Sequence, residues 1–499
     1  MKNEEYAAAM EAIVVNNVSK SYGRVKALDG VSFSVGRGEV FGLIGPDGAG
    51  KTSMFRILCT LLLPDEGTAT VEGFDTVRQM REIRKRVGYM PGRFSLYQDL
   101  TVEENLTFFA TLFGTTVEEG YDSIKAIYSQ IERFKDRKAG ALSGGMKQKL
   151  ALSCALVHQP SVLFLDEPTT GVDPVSRKEL WEMLSMLKER QITVVASTPY
   201  LDEVRQCERV AFLNEGKVMG IDAPEVILDR FGDIFNPPGI KRNNGTRSDE
   251  PKANNDNVIE VSHLVKAFGS FHAVDDISFT VKRGEIFGFL GANGAGKTTA
   301  MHMLTGLNQP TSGTGRVAGF DIRTEHEQIK RRIGYMSQRF SLYEDLTVAE
   351  NIRLFGGIYG MKDDEIARKT DRLLTQLKFE DHKNDLVGSL PLGWKQKLAF
   401  SVSIFHEPSI VFLDEPTGGV DPATRRQFWE LIYDAAHRGI TIFVTTHYMD
   451  EAEYCDRISI MVDGKISAIG TPEELKRQFR QPDMDHVFTY LAREAKRGD

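Results

Sequence analysis

The feature that most constrains this chain is an internal duplication. "GPDGAGKT" at 45–52 recurs as "GANGAGKT" at 291–298, and "VLFLDEP" at 162–168 recurs as "IVFLDEP" at 410–416. Each copy is far longer than the roughly 20–50-residue unit of a solenoid, so the pattern indicates a repeated domain. With 499 residues, the chain is too long for one ordinary core and has room for two large domains.

Composition indicates where the two domains meet. The segment "NPPGIKRNNGTRSDEPKANNDN" at 236–257 is rich in Asn, Pro, Gly and charge, and has almost no large apolar residue. Such a segment cannot bury a core and predicts a flexible linker. We therefore predict a first domain at 11–232, a linker at 233–257, a second domain at 258–480 and a C-terminal tail at 481–499.

Hydrophobic patterning indicates an α/β fold for each half. "VSFSV" and "ISFTV" alternate apolar and polar residues, as half-buried strands do. "LTVEEN" and "LTVAEN" contain Thr-x-x-Glu capping boxes, which predict helices starting at Thr101 and Thr347. The apolar runs before the two "LDEP" segments, and "ITVVAST" and "ITIFVTT" after them, predict buried parallel strands separated by helices.

The overall composition excludes several classes of protein. Hydrophobic residues make up 41% and charged residues 26%, and no apolar run approaches the roughly 18 residues of a membrane-spanning helix. The N-terminus has acids where a secretory signal has basic residues, so we expect a cytoplasmic protein. The net charge of -8 disfavours nucleic acid as a partner. The cysteines have no Cys-x-x-Cys spacing and are expected to be reduced, mostly buried thiols: Cys59, Cys154, Cys207 and Cys455.

Two phosphate-binding loops are predicted. Both repeated Gly-rich segments fit G-x-x-x-x-G-K-[ST], and each lies between a predicted strand and a helix. In this motif backbone N–H groups surround the phosphates, Lys51 or Lys297 reaches the outer phosphates, and Thr52 or Thr298 can ligate magnesium. The candidate residues are Gly45, Gly48, Gly50, Lys51, Thr52 and Ser53 in the first copy and Gly291, Asn293, Gly294, Gly296, Lys297, Thr298 and Thr299 in the second.

An acidic pair ends the apolar strand in each copy. Parallel strands present such residues at their carboxyl edge, where ligands bind in these sheets. Asp166 and Asp414 are candidate magnesium ligands, and Glu167 and Glu415 are candidates to polarise an attacking water. A solvated acidic turn is the alternative interpretation.

The order of motifs in each half resembles the nucleotide-binding domain of the ATP-binding cassette (ABC) family. The motifs are the phosphate loop, "LSGGMKQ" at 142–148 or its variant "LPLGWKQ" at 390–396, "FLDEP" and "GVDP", and the two copies cover nearly the whole chain. With that variant in the second half and "YCDRISIMVDGKISAIGTPEEL" behind it, the chain resembles most closely the tandem ATPase subunits of ABC-2-type exporters, which are associated with efflux of drugs and cations.

The resemblance implies a fold, an activity and partners. Each half is expected to be a P-loop ATPase domain with a mainly parallel sheet core, an antiparallel β part and a helical subdomain. ATP and Mg²⁺ are the implied cofactors, and ATP hydrolysis is the implied reaction. The implied partners are separate ABC-2-type permease subunits, with a periplasmic adaptor as an optional further one, which would hold the chain at the inner face of the cell membrane.

The family sandwiches each ATP between the phosphate loop of one domain and the signature motif of the other. At the second phosphate loop, Gln338 matches the family residue that senses magnesium and the γ-phosphate, Glu415 the catalytic acid and His447 the switch histidine. The opposing signature is intact and supplies a hydroxyl and close backbone approach through Ser143, Gly144 and Gly145.

The site at the first phosphate loop departs from the family pattern. Gly92 stands in the place of Gln338, and Pro199 in the place of His447. In the opposing signature Pro391 lacks a hydroxyl and an N–H, and Leu392 adds a side chain, although Pro still permits a helix to start. We therefore expect one hydrolytic and one degenerate site in an intramolecular sandwich of the two domains; independent drift of the motifs is the alternative.

Weaker candidates remain in both halves. Tyr22 and Phe268 match the family position that stacks on adenine, with ordinary packing as the alternative. Asp173 and Asp421 in "GVDP" resemble the family turn that crosses the interface, with a capped turn as the alternative.

"GRFSLYQDL" and "QRFSLYEDL" match the region that receives a permease helix. The candidate contacts there are Phe94, Tyr97, Phe340 and Tyr343, each of which could instead pack in the core. His158 and His406 have no metal-like partners and are interpreted as structural.

Two other functions remain open. One is a soluble tandem cassette ATPase that acts on ribosomes, although such members usually carry a long basic helical linker between two intact sites, and this linker is short and mixed in charge. The other is a tandem ATPase of a sugar importer, which can also pair an intact with a degenerate site.

Overall fold

The computed structural model describes residues 11–495 except positions 24, 47, 93–94, 171, 173, 199, 236–256, 339–341 and 421. The chain divides into two compact units, each with one copy of the repeat, which are called here the first and the second domain. Some predictions fall outside the described residues. They concern most of the linker and Phe94, Asp173, Pro199, Phe340 and Asp421.

The first domain combines two sheets with helices. Its described strands β1–β10 are Glu11–Tyr22, Val25–Gly36, Val40–Ile44, Glu66–Val71, Phe74–Asp75, Val87–Met90, Val162–Asp166, Thr193–Thr198, Arg209–Asn214 and Lys217–Asp222. Its described helices α1–α8 are Lys51–Leu58, Met80–Arg84, Val102–Leu112, Val117–Tyr128, Gly144–Leu156, Pro174–Glu189, Leu201–Val204 and Pro224–Phe235, with short 3₁₀ helices at Glu132–Phe134 and Ala139–Ala141.

The second domain repeats this arrangement. Its described strands β11–β20 are Asn257–Phe268, Phe271–Lys282, Ile286–Gly291, Ser312–Val317, Phe320–Asp321, Ile333–Met336, Ile410–Asp414, Thr441–Thr446, Arg457–Val462 and Lys465–Gly470. Its described helices α9–α16 are Lys297–Leu304, His326–Arg332, Val348–Ile358, Asp363–Leu377, Leu392–Ser403, Pro422–His437, Pro472–Phe479 and Met484–Ala495. Its 3₁₀ helices are Glu380–His382, Val387–Ser389 and Met449–Tyr454.

Each domain has an antiparallel four-stranded sheet and a mainly parallel six-stranded sheet. The orders are β2-β1-β4-β5 and β10-β9-β3-β8-β7-β6 in the first domain, and β12-β11-β14-β15 and β16-β17-β18-β13-β19-β20 in the second. In the six-stranded sheets only the pairs β9–β10 and β19–β20 are antiparallel. The predicted α/β fold, with a mainly parallel sheet core and an antiparallel β part, is confirmed. Its parallel strands bring the ends of β3, β7 and β8 to one edge, where the phosphate loop begins.

The apolar runs predicted to be buried strands separate two cores. In β7, Phe164 packs into the core on the side of the four-stranded sheet, whereas Leu163 and Leu165 pack into the core that contains helices α3–α6. This alternation across one buried strand explains why the run is apolar at every position. The predicted burial of the four cysteines is also confirmed.

The two predicted capping boxes start helices α3 and α11. The Thr101 hydroxyl accepts a hydrogen bond from Glu104 N at 3.1 Å, and the Glu104 carboxylate accepts one from Thr101 N at 2.7 Å. Thr347 and Glu350 make the same pair of bonds at 3.2 and 2.8 Å. Each box thus satisfies two backbone donors at the helix start, and both predictions are confirmed.

Replacing Thr101 with Ala is expected to lower the free energy of unfolding of the first domain by about 1 kcal/mol, because the N-cap acceptor is lost. Urea denaturation followed by circular dichroism measures this loss. Thr107→Ala, at an exposed position inside the same helix, is the matched control and should change stability by less than about 0.5 kcal/mol. Equal effects of the two substitutions would contradict the capping role.

The C-terminal stretch and two histidines bear on the sequence predictions. The stretch predicted as a C-terminal tail contains helix α16, which packs against β19 and the 3₁₀ helix Met449–Tyr454. His158 and His406 each bond a backbone carbonyl and stack on an aromatic ring, as their structural interpretation requires.

No described helix combines the length and apolar character needed to cross a bilayer.

Candidate active sites

The two phosphate loops have the backbone geometry that phosphate binding needs. Gly50 and Gly296 precede helices α1 and α9 with φ of 104° and 102°, in the left-handed region that favours glycine. A Cβ at these positions would lie 2.3 Å from the Ala27 carbonyl oxygen and 2.1 Å from that of Ala273. Only glycine fits there, and the loop leads directly into a helix N-terminus, where backbone N–H groups can bind an anion.

A buried lysine is held inside each loop. Lys51 Nζ donates to the carbonyl oxygens of Gly45 at 2.7 Å and Pro46 at 3.0 Å. Lys297 donates to the corresponding carbonyls at 2.8 and 3.0 Å. Each ammonium is therefore fixed beside its helix N-terminus, so the residues present fit a bound polyphosphate.

Threonine and aspartate form a second common feature. The Thr52 hydroxyl donates to Asp166 at 2.7 Å, and the Thr298 hydroxyl to Asp414 at 3.2 Å. Burial raises the pKa of Asp414, an effect that hydrogen bonds from Thr445 and Thr298 oppose and the Glu415 charge adds to. A hydroxyl and a carboxylate at this spacing are the hard oxygen ligands that Mg²⁺ prefers, so each pair fits a magnesium ion.

Glu415, like Asp414, is a buried acid of the second site. Its carboxylate accepts a hydrogen bond from Gln338 Nε2 at 2.7 Å and lies 3.2 Å from His447 Nδ1 and 3.4 Å from Lys297 Nζ. Burial alone would raise the pKa of Glu415, but the adjacent His447 and Lys297 outweigh it and lower the pKa to about 2. Three predicted residues of this site therefore meet at one ionised carboxylate.

Glu167 of the first site has a different environment. Its carboxylate lies 3.7 Å from Lys51 Nζ and accepts a hydrogen bond from Thr170 at 3.3 Å. Its side chain is 23% exposed, against 7% for Glu415. Gly92 lies beside it, because a Cβ at Gly92 would be 3.7 Å from the Glu167 Cβ. The first domain thus has a glycine, without a side chain, next to Glu167, where the second domain has Gln338 next to Glu415.

The two signature motifs both start helices. Ser143 is the N-cap of α5 and accepts a hydrogen bond from Met146 N at 3.4 Å, while Pro391 is the N-cap of α13 without a side-chain cap. The sequence expectation that the helix survives the proline is confirmed. Leu392 is 38% exposed where the first domain has Gly144, so the second motif presents an apolar side chain at this point.

The predicted adenine contacts are exposed. Tyr22 is 47% exposed and its hydroxyl lies 3.4 Å from that of Ser53, next to the phosphate loop. Phe268 is 56% exposed, with the Lys266 ammonium 5.2 Å from its ring centroid. Neither ring belongs to the core, and contact with adenine stays a prediction.

Sequence reasoning missed the residues that hold the magnesium-site acids. The Ser197 hydroxyl donates to Asp166 at 2.8 Å, and the Thr445 hydroxyl to Asp414 at 2.6 Å. Both donors lie on the neighbouring parallel strand, β8 or β18. The one available signal was that both copies have a hydroxyl residue at the equivalent position.

Comparison with known proteins agrees with this geometry. The family described as ABC transporter matches residues 28–170 and 274–418. A probable multidrug ABC transporter ATP-binding protein, YbhF of Escherichia coli K12, is 40% identical over 91% of this chain and 93% of its own length.

Other matches cover one domain. The doxorubicin resistance ATP-binding protein DrrA of Mycobacterium tuberculosis is 37% identical over 47% of this chain and 71% of its own length. A solved structure of an ATP-binding subunit of an ABC transporter is 30% identical over 47% of this chain and 99% of its own, with a TM-score of 0.44. The family match in both halves and the similarity to YbhF show that the chain belongs to the ABC transporter family, and its two domains are ABC-type ATPase domains.

Proposed function

We propose that this chain is the ATP-hydrolysing subunit of an exporter whose membrane part consists of separate ABC-2-type permease subunits. Two relatives support the export class, since their names state multidrug transport and doxorubicin resistance. Hydrolysis takes place mainly at the second phosphate loop, and the first loop mainly binds nucleotide. The observation that carries this asymmetry is the contact of Gln338 and His447 with Glu415, whereas the lysine contact is present in both sites.

The side chains of the second site have separate tasks. Glu415 is ionised and can accept a hydrogen bond from the attacking water, which orients the water and increases its nucleophilicity. His447 Nδ1 lies beside Glu415, while its buried Nε2 has no hydrogen-bond partner within the described part of the chain. A buried nitrogen of this kind suits a phosphate oxygen.

The metal-binding task falls to the threonine and aspartate of each loop. Thr298 and Asp414 would hold Mg²⁺ in the second site, with Gln338 as a further ligand, and Thr52 and Asp166 would hold it in the first. When bound, Mg²⁺ neutralises charge on the phosphates. The lysine of each loop adds a positive charge from the protein side.

The signature of the first domain completes the proposed hydrolytic site. Support comes from the sequence, because "LSGGMKQ" is intact in the domain whose own phosphate loop lacks the Gln and His partners. Ser143 supplies a hydroxyl, and Gly144 and Gly145 leave room for close approach of the backbone. Pairing two second domains from different chains would offer only the variant with Pro391, so an intramolecular sandwich is the assembly that yields one complete site.

An apolar groove in the first domain supports docking of a permease helix. A cavity of about 800 Å³ is lined by Leu61, Met90, Leu96, Phe109, Leu112 and Phe113, among others. At its edge Leu61 and Leu112 are 59% and 64% exposed, and nearby Tyr97 is 51% exposed. The repeat has exposed side chains at the equivalent positions, Leu307, Ile358 and Tyr343. This docking would hold the chain at the inner face of the membrane.

A Tyr97→Asp/Leu112→Asp variant is expected to recover at least about ten-fold less permease in co-purification, because buried charges weaken an apolar interface. The ATPase activity of the isolated chain should change less than about two-fold. Met219→Asp, also at an exposed apolar position of the first domain, is the control. Unchanged recovery with the groove variant would contradict docking at this surface.

The proposed function is tested by purifying the tagged chain from gently solubilised native membranes and identifying the bound proteins by mass spectrometry. Stoichiometric polytopic membrane proteins are expected. Ribosomal proteins in their place would support a soluble factor that acts on ribosomes, and a permease of the sugar-uptake type would support an importer. Either result would overturn the export proposal and leave the ATP sites unaffected.

A further inference from the structure

We propose that a buried ion pair, Arg425 with Glu451, positions the catalytic Glu415 and His447 relative to each other. Glu451 lies in the 3₁₀ helix Met449–Tyr454, four residues after His447, and Arg425 lies in the first turns of α14, which follows the "GVDP" turn. Neither has a place in the ATP chemistry described above. The inference rests on the proposed function only in that hydrolysis takes place at Glu415.

The pair is enclosed on all sides. Arg425 Nε lies 3.6 Å from Glu451 Oε1, and the two side chains are 5% and 0% exposed. Arg425 also donates to Asp450 at 3.0 Å, and its guanidinium lies 4.1 Å from the ring centroid of Tyr448. Arg425 thus holds three residues of the segment that directly follows His447.

Glu451 connects this segment to the catalytic strand. Its carboxylate accepts a hydrogen bond from the Thr417 hydroxyl. Thr417 is two residues after Glu415, and Glu451 itself is four residues after His447. One carboxylate therefore ties together the two chain segments that carry the reacting acid and the switch histidine, beyond the point where the ladder between β17 and β18 ends.

The energetics argue against a purely stabilising role. Burying two charges costs desolvation free energy that their attraction often fails to recover, so apolar side chains of similar volume are commonly as stable. Burial indeed raises the pKa of Glu451, and the Arg425 charge only opposes this. What apolar replacements cannot reproduce is the directional hydrogen bond from Thr417 and the contacts of Arg425 with Asp450 and Tyr448.

The first domain contains the equivalent ion pair, but the hydroxyl of Thr169, the counterpart of Thr417, has no hydrogen-bond partner among the described residues. Arg177 Nε lies 3.4 Å from Glu203 Oε1, with the side chains 12% and 1% exposed, and the Thr198 hydroxyl donates to Glu203. The Arg177 guanidinium lies 4.1 Å from the Tyr200 ring centroid. Because position 199 between Thr198 and Tyr200 is a proline, this copy has no histidine to position. It is a matched control within the same molecule.

The test compares Arg425→Met/Glu451→Leu with Arg177→Met/Glu203→Leu in the full chain. For the second-domain variant we expect kcat for ATP hydrolysis to fall at least about ten-fold, since misplacing a reacting group by about 1 Å costs up to a hundred-fold. KM for ATP and the melting temperature should stay near those of the parent, because the phosphate loop is untouched and the volume is conserved. The first-domain variant should lose less than about two-fold in kcat.

The other outcomes are distinguishable. If kcat of the second-domain variant stays within two-fold of the parent, or falls only in proportion to a loss of folded protein, the pair is merely structural and the inference is wrong. Glu451→Gln gives a second, independent measurement. Because it keeps the side-chain shape and one acceptor oxygen, it should retain more activity than Glu451→Leu at equal melting temperature. If the first-domain variant loses activity instead, the assignment of the hydrolytic site fails, not the positioning role.

Discussion

Glu415→Gln is expected to reduce steady-state ATP hydrolysis by at least about a hundred-fold, because a glutamine cannot take the role of a general base. The amide would still fit between Gln338 and Lys297, so the fold and the phosphate loop should persist. The measurement is phosphate release at saturating ATP and magnesium. Binding of a fluorescent ATP analogue, measured in parallel, should be retained.

Glu167→Gln is the matched substitution in the first domain and should lower the rate less than about three-fold. The reason is that Glu167 is more exposed and has Gly92 beside it where Glu415 has Gln338. Loss of hydrolysis with Glu167→Gln and survival with Glu415→Gln would reverse the assignment of the two sites. Similar losses in both variants would show two coupled hydrolytic sites.

Transferring the variant signature into the first domain, as Ser143→Pro/Gly144→Leu, is expected to lower hydrolysis by about a hundred-fold as well. The exchange removes a hydroxyl and an N–H donor, and loss of one donor to a developing charge typically costs this much. Helix α5 should still form, because α13 starts at Pro391 in the same way. Circular dichroism and phosphate release measure the two parts of the prediction.

The reverse exchange, Pro391→Ser/Leu392→Gly, is the control. It repairs the signature of the second domain. The phosphate loop opposite that signature belongs to the first domain, which has Gly92 and Pro199 in the places of Gln338 and His447. We therefore expect the rate to stay within about two-fold of the parent. A clear gain of activity, or an unimpaired Ser143→Pro/Gly144→Leu variant, would contradict the proposed pairing of motifs.

Local patterns were sufficient for much of the fold and of the site. The Thr-x-x-Glu boxes located the starts of α3 and α11, since both partners lie within one helical turn. The Gly-rich motif predicted the two phosphate loops, and Gly50 and Gly296 in them adopt a left-handed backbone. These signals are readable because their cause lies within a few residues of chain.

Contacts between distant segments could not be predicted in this way. The Thr445 hydroxyl on the neighbouring strand donates to Asp414, and the Thr417 hydroxyl donates to Glu451 in the segment that follows His447. No short motif records such pairs, and a single sequence has no covariation from which to infer them. Helix α16 is a different case. Its buried Met484, Val487, Phe488 and Leu491 follow helical spacing, so the periodicity was available and the interpretation as a tail overlooked it.

Glu167 and Glu415 share one backbone property with an evolutionary consequence. Both adopt left-handed conformations, with φ of 50° and 47°, which is rare for a residue with a long side chain. Such a conformation is held against strain of roughly 1–3 kcal/mol by its surroundings. The first domain has thus kept the strained scaffold of its twin while neighbouring side chains diverged. In the proposed division of the two sites, divergence of the copies therefore acted on the side chains around an unchanged backbone conformation at the acid.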